Sequence, residues 1–256
     1  NGGAIHNTGT LRVQQTAQIR NASAGNGGAI YNAGAMYVDA ALTMDNASAT
    51  GDGGAIYNTG TGSVKVNAAL TLNNVSAIGS GSAVYQAGSF TLNVGASLNT
   101  DGVVYLTNDR YLAVANSTVQ MTNPLSIDIG DPYDGRVYVQ YGADGAANAE
   151  TERARYSLPA RITSTYTLMD KTEADQLTLY LGQKNVVYVD PTFTGDAISG
   201  KVQGDYADYP FTTLADAYKK LSQVGGGLIY VVTPIHVKKD TTVAATGYTA
   251  EGTPVD

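Results

Sequence analysis

The charged side chains of the repetitive first half that could do chemistry are Asp39, Asp45 and Asp52 with Arg12, Arg20 and Lys65. Cleaving a polysaccharide takes carboxylates clustered to hold calcium beside a base, or a carboxylate pair at a set separation. Here they are spread along the repeats without a cluster, so no catalytic residue, no metal-ligand set and no cofactor is assigned. Asp190, Asp196, Asp205 and Asp208 fall in a loop composition, where a solvated acidic loop outweighs a calcium site. His6 takes the place of a repeated tyrosine and His236 stands alone in a strand pattern, so neither has a partner for acid–base work. Without cysteine there is neither a disulfide framework nor a thiolate metal site. The remaining candidates are aromatic. Tyr31, Tyr57, Tyr85 and Tyr105 each follow an aliphatic residue and, if that residue points inward, face outward as a stripe. Such a stripe contacts a ligand, or packs only on itself, or lies under the later part of the chain.

Charge and hydropathy remove whole classes. The net charge is −7 and the 15 Lys and Arg are scattered, whereas a nucleic-acid groove needs a continuous cationic track. No apolar run reaches the ~18 residues of a membrane helix. The chain opens in mid-motif without a leader pattern, which is expected of a piece of something longer.

The elements that carry these residues are set by a repeat. GGAIHN at Gly2, GGAIYN at Gly27 and Gly53, and GSAVYQ at Gly81 recur at steps of 25, 26 and 28 residues, and DGVVYL follows from Asp101. IRNASAG, MDNASATG and LNNVSAIG repeat in the second half of each unit. One unit holds three alternating segments, AIYN, SVKVN and ALTLN, with Val64, Val66, Leu70 and Leu72 on one face and Lys65 and Thr71 on the other. Strands this short bury nothing alone, but a chain that coils through three of them stacks each on its counterpart ~4.8 Å away. The expected fold is all-β: a right-handed parallel β-helix with three short strands per coil over residues 1–125. Asn7, Asn32 and Asn58, and Asn21, Asn46 and Asn74, then stand at corners, where asparagine accepts left-handed backbone and bridges coils. That role also accounts for the three N-x-S sequons without sugar, and the GG pairs mark bends rather than a phosphate loop.

GGAIYN, a short strand and an N-x-S-A turn together resemble the GGA(I/V) repeats of polymorphic outer-membrane proteins and related bacterial adhesins of the pectate-lyase-like β-helix superfamily. The resemblance covers residues 1–125 and lacks a regular FxxN motif. It implies a secreted, non-catalytic structural or adhesive module of a large repetitive bacterial cell-surface protein. Its partners would be a surface glycan or protein of a host or community, and neighbouring modules of the same polypeptide. The alternative on the same fold is a polysaccharide-binding or lyase-like enzyme.

Beyond Pro124 the repeat dissolves. Residues 126–184 are expected to be terminal coils and a cap, with two strands around DPYDG, a charged ETERARYSLPARI stretch, and two further strands, YTLMD and QLTLYLG. Residues 185–256 change pattern to strand, helix, strand. Leu214, Ala217, Tyr218 and Leu221 recur at helical spacing behind Thr212 or Thr213 as N-cap, the one helix the sequence makes convincing. This section either starts a following β-helix module or packs as a cap.

Overall fold

The computed structural model describes residues 1–122, 124–142, 148–173, 175–183, 185–195, 203–204, 209–223, 227–232, 237–239 and 248–250. The chain divides into two compact units, Asn1–Gln183 and Lys184–Asp256.

The first unit is a parallel β-helix. Its first sheet stacks Ile5–Asn7, Ile30–Asn32, Ile56–Asn58, Val84–Gln86, Val104–Leu106, Leu125–Ile129 and Tyr156–Ser157. The second sheet stacks Thr10–Val13, Ala35–Val38, Ser63–Val66, Ser89–Leu92, Leu112–Val114 and Val137–Tyr141. A third joins Ala17–Arg20, Leu42–Asp45, Ala69–Asn73, Ser97–Thr100 and Gln120–Met121. Register follows the repeat, with Ile5 on Ile30, Ile30 on Ile56, Ile56 on Val84, and Val84 on Val104. Alternation does the sorting: Val64, Val66, Leu70 and Leu72 are fully buried while Lys65 is exposed. The turn after the third strand also pairs. Ser23–Ala24, Ser48–Ala49 and Ser76–Ala77 form a fourth, two-residue parallel ladder, too short to give an alternation signal.

The corner residues explain why the motif reads GGA and ends in Asn. The first glycine of each pair has positive φ, from 62° at Gly27 to 71° at Gly2, the region glycine enters without strain. The second sits under the next coil: a Cβ on Gly28 would lie 2.1 Å from the Gly54 carbonyl oxygen. Serine stands at this second position only at Ser82, whose hydroxyl accepts a bond from the Val103 amide at 2.8 Å. At the end of each first strand the asparagine turns into the coil. Asn7 donates to Asn32 (2.7 Å), Asn32 to Asn58 (2.8 Å) and Asn58 to the Gln86 side-chain oxygen (2.9 Å). Asn32 and Asn58 are fully buried and also donate to corner carbonyls, Ser63 and Ser89 at 3.1 and 3.0 Å. The opposite corner carries an outer ladder, Asn74 to Asn46 to Asn21 at 2.6 and 3.0 Å, all three with positive φ.

Past the repeat, the second sheet continues as an antiparallel hairpin, Tyr166–Glu173 with Gln176–Gln183. The charged stretch, read from sequence only as charge, forms two short helices, α1 (Ala149–Ala154) and α2 (Ala160–Thr163). Asn148 caps α1 by accepting the Thr151 amide. Buried Glu152 receives the Tyr141 hydroxyl and pairs with Arg155 at 2.8 Å, and Tyr141 and Tyr156 share a bond of 2.8 Å. Arg155 in turn donates to the carbonyls of Ser117 and Val119, tying this segment to the last coils.

In the second unit Asn185–Val189 pairs in parallel with Gly227–Val231 across α3 (Leu214–Gln223). Thr213 is the N-cap, its hydroxyl accepting the Asp216 amide at 3.1 Å. The apolar face of α3 packs on this pair of strands, with Ala217 and Leu221 against Val187 and Val189. The run Gly225 to Gly227, whose composition in the sequence is expected to stop this helix, has Gly225 and Gly226 outside the described residues.

Two outcomes follow. Asn32→Ala strands an Asn58 acceptor and two corner carbonyls, so denaturant unfolding should show a loss of about 1–3 kcal/mol. Burial drives the phenol pKa of Tyr138, Tyr141 and Tyr156 far above its ordinary value. A raised folded pKa gives stability that is whole below the unfolded value of ~10 and falls as pH rises past it. An alkaline titration should therefore show these phenols ionising together with loss of circular dichroism. Ionisation without unfolding would show the cap to be open.

Candidate functional site

The sequence-predicted tyrosines come together as one stack on the outer face of the first sheet. Tyr31 lies on Tyr57 with centroids 5.1 Å apart and planes 3° from parallel, Tyr57 on Tyr85 at 4.6 Å and 4°, and Tyr85 on Tyr105 at 5.4 Å and 16°. His6 continues the column, edge-on to Tyr31 at 4.9 Å. In-register parallel strands force this, because equivalent side chains in successive coils meet at strand spacing. Asp128 follows Tyr105 in register and is paired with Arg161.

The geometry changes what the stripe offers. Both faces of Tyr57 and both faces of Tyr85 are covered by neighbouring rings, so these residues present ring edges and hydroxyls rather than open platforms. All four tyrosines are half-buried. Burial is the main cause that raises the Tyr57 and Tyr85 phenol pKa, followed by the neighbouring tyrosine and then Asp52. Both rings are therefore neutral hydroxyl donors and acceptors throughout the physiological range.

The scattered carboxylates are structural. Asp39 pairs with Arg12 at 2.8 Å and accepts Asn67 at 2.6 Å, the Asn67 bond foremost in holding its carboxyl below the usual range. Asp45 lies 3.6 Å from Arg20 and accepts Asn73 at 2.9 Å. Asp52 accepts the Ser80 amide at 2.7 Å. Each links one coil to the next. Among the described residues no group of three His, Asp or Glu is arranged to hold a metal ion. Asp190 closes a local turn by accepting the Thr192 amide and hydroxyl, whereas Asp196, Asp205, Asp208 and His236 lie outside the described residues. No helix among the described residues is long and apolar enough to cross a membrane.

Sequence reasoning passed over Arg136, a single cation in a non-repeating stretch, which is 1% exposed. Compared with protein-family models, with curated proteins and with solved structures, the chain matches none of them.

Tyr57→Ala removes two ring pairs, each worth ~0.5–1.5 kcal/mol, together with their buried area. It should lower unfolding free energy by about 1–3 kcal/mol, whereas Tyr57→Phe should stay near wild type. Equal losses in both variants would assign the stabilisation to the hydroxyls instead of the rings.

Proposed function

We propose that this chain is a non-catalytic structural and adhesive module of a large repetitive, secreted bacterial cell-surface protein, serving as a spacer and a contact surface. The observation that carries the reading is the continuous parallel ladder of the first sheet, strand on strand from Ile5 to Ser157. A chain whose every coil is bonded to the next resists bending, and that stiffness suits a surface stalk. The repeat's carboxylates support the same reading, since Asp39 and Asp45 are engaged in linking coils. The resemblance of the GGAIYN units to surface adhesins adds the location and the partner class: a surface glycan or protein, and adjacent modules of the same polypeptide. The tyrosine column supplies a contact strip of hydroxyls and ring edges.

The test pairs a reaction assay with a binding assay. Incubation with acidic and neutral polysaccharides, with and without calcium, should release neither unsaturated nor reducing ends. Their appearance would replace this reading with an enzyme. A triple Tyr31→Ala, Tyr57→Ala, Tyr85→Ala variant should lose binding to surface glycoproteins immobilised from epithelial or bacterial cells. Unchanged binding by the folded variant would leave the spacer role and remove the column from adhesion.

A further inference from the structure

The corner between the first and second sheets is short in the first four coils and longest in the next two. It spans two residues in the first, second and fourth coils (8–9, 33–34 and 87–88) and four in the third (59–62), then five (107–111) and seven (130–136). Insertions in a repeat array gather on one face, and that face is commonly the one that binds. Here they open a cleft of about 300 Å³ lined by Asp109, Tyr111, Tyr133, Arg136 and Gln140, among others.

The composition of the cleft is unlike the rest of the unit. Tyr111 and Tyr133 are 38% and 43% exposed, and neither is in the tyrosine column. The Tyr133 hydroxyl donates to Asp109, which is held at φ 53°, a conformation that L residues adopt at some cost. Beneath them Arg136 takes over the task of the corner asparagines. Its guanidinium donates to the carbonyls of Thr107 (3.0 Å), Arg110 (2.8 Å) and Val137, which leaves its buried Nε without a partner. Gln140 donates its amide to Gln176 at 3.3 Å and keeps its oxygen for another donor. Asp109 likewise has a second carboxylate oxygen beyond the one that Tyr133 engages.

We propose that this cleft binds a single neutral sugar ring, independently of the tyrosine column. Exposed phenol rings offer apolar contact to the C–H faces of a pyranose. A planar carboxylate and a planar amide with spare acceptor capacity match vicinal hydroxyl donors. The volume stands at the small end of ligand sites, which limits the occupant to about one ring. The two charges oppose each other: Asp109 on the rim repels the uronates and phosphates that Arg136 attracts, and Arg136 in the floor repels the amines that Asp109 attracts, so an uncharged polyol is the class that meets no net penalty.

The test uses the whole chain. Saturation-transfer NMR and titration calorimetry are run with methyl glycosides of glucose, galactose, mannose, N-acetylglucosamine and N-acetylgalactosamine, with galacturonate and glucosamine as charged comparators. At least one neutral glycoside should bind in preference to both comparators. Tyr111→Ala with Tyr133→Ala should weaken it about tenfold or more. Asp109→Asn, which tolerates the same backbone conformation, should weaken it less, with both variants retaining wild-type circular dichroism. If the double variant does not fold, Asp109→Asn alone decides. The proposal is overturned if no neutral glycoside binds, if a charged comparator binds better, or if affinity survives these substitutions. It is also overturned if affinity falls only in the variant lacking Tyr31, Tyr57 and Tyr85, which would move the sugar to the column.

Discussion

No coil of this chain can satisfy its own backbone. The strands are two to five residues long in the repeat, and the hydrogen bonds of each run to the neighbouring coils. Residue types that recur in the sequence are therefore forced onto one another in space, and each recurring type must tolerate its own copy about 4.8 Å away. Isoleucine and valine do so by packing and tyrosine by ring stacking. Asparagine does so because one amide carries both a donor and an acceptor, so a column of them closes its own bonds. Glycine meets a harsher form of the same demand at Gly28 and Gly54, where the next coil's carbonyl occupies the space of a Cβ.

Where the recurrence stops, the same demand is met by single residues. The inner amide column ends at Gln86, whose Nε2 is buried without a partner, and Leu106 and Ile129 follow it at the corner. Arg136 then gathers the carbonyls of the widened corner, and Glu152 with Arg155 ties α1 to Tyr141 and to the coil below. Removing one member of such a buried set leaves the others unpaired in a low dielectric, which costs more than the pair itself contributes. The regular faces are thus held by stacking, and the widened corners by single buried residues such as Arg136.

The sequence made the regular part readable. The step from Ile5 to Ile30 to Ile56 is the register itself, and the inward phase of Val64 and Leu70 follows from alternation. The tyrosine column was readable as a position, and ring-on-ring packing as one of its readings, but spacing alone does not choose between ligand contact, self-packing and cover by the later chain. The Ser23–Ala24 ladder was missed because two residues carry no period. The α1 and α2 helices were missed because they are six and four residues long, below the length at which helical spacing is visible. Arg136 and the cleft above it arise from one-off insertions, and a unique cation in a loop has no sequence signature that separates a buried carbonyl clamp from a solvated charge.

The central claim is that successive coils stack in parallel and in register from the first repeat into the irregular region. Arg12, Tyr37, Lys65, Thr91 and Ala113 are successive register partners on the second sheet. The chain has no cysteine, so spin labels attach only where cysteines are placed. Double electron–electron resonance between labels at Arg12→Cys and Ala113→Cys should give one narrow distance near that of four strand spacings, about 19 Å before allowance for the linkers. A broad distribution, or a distance well beyond that range, would mean that the coils do not stack as described and would contradict the account at its base.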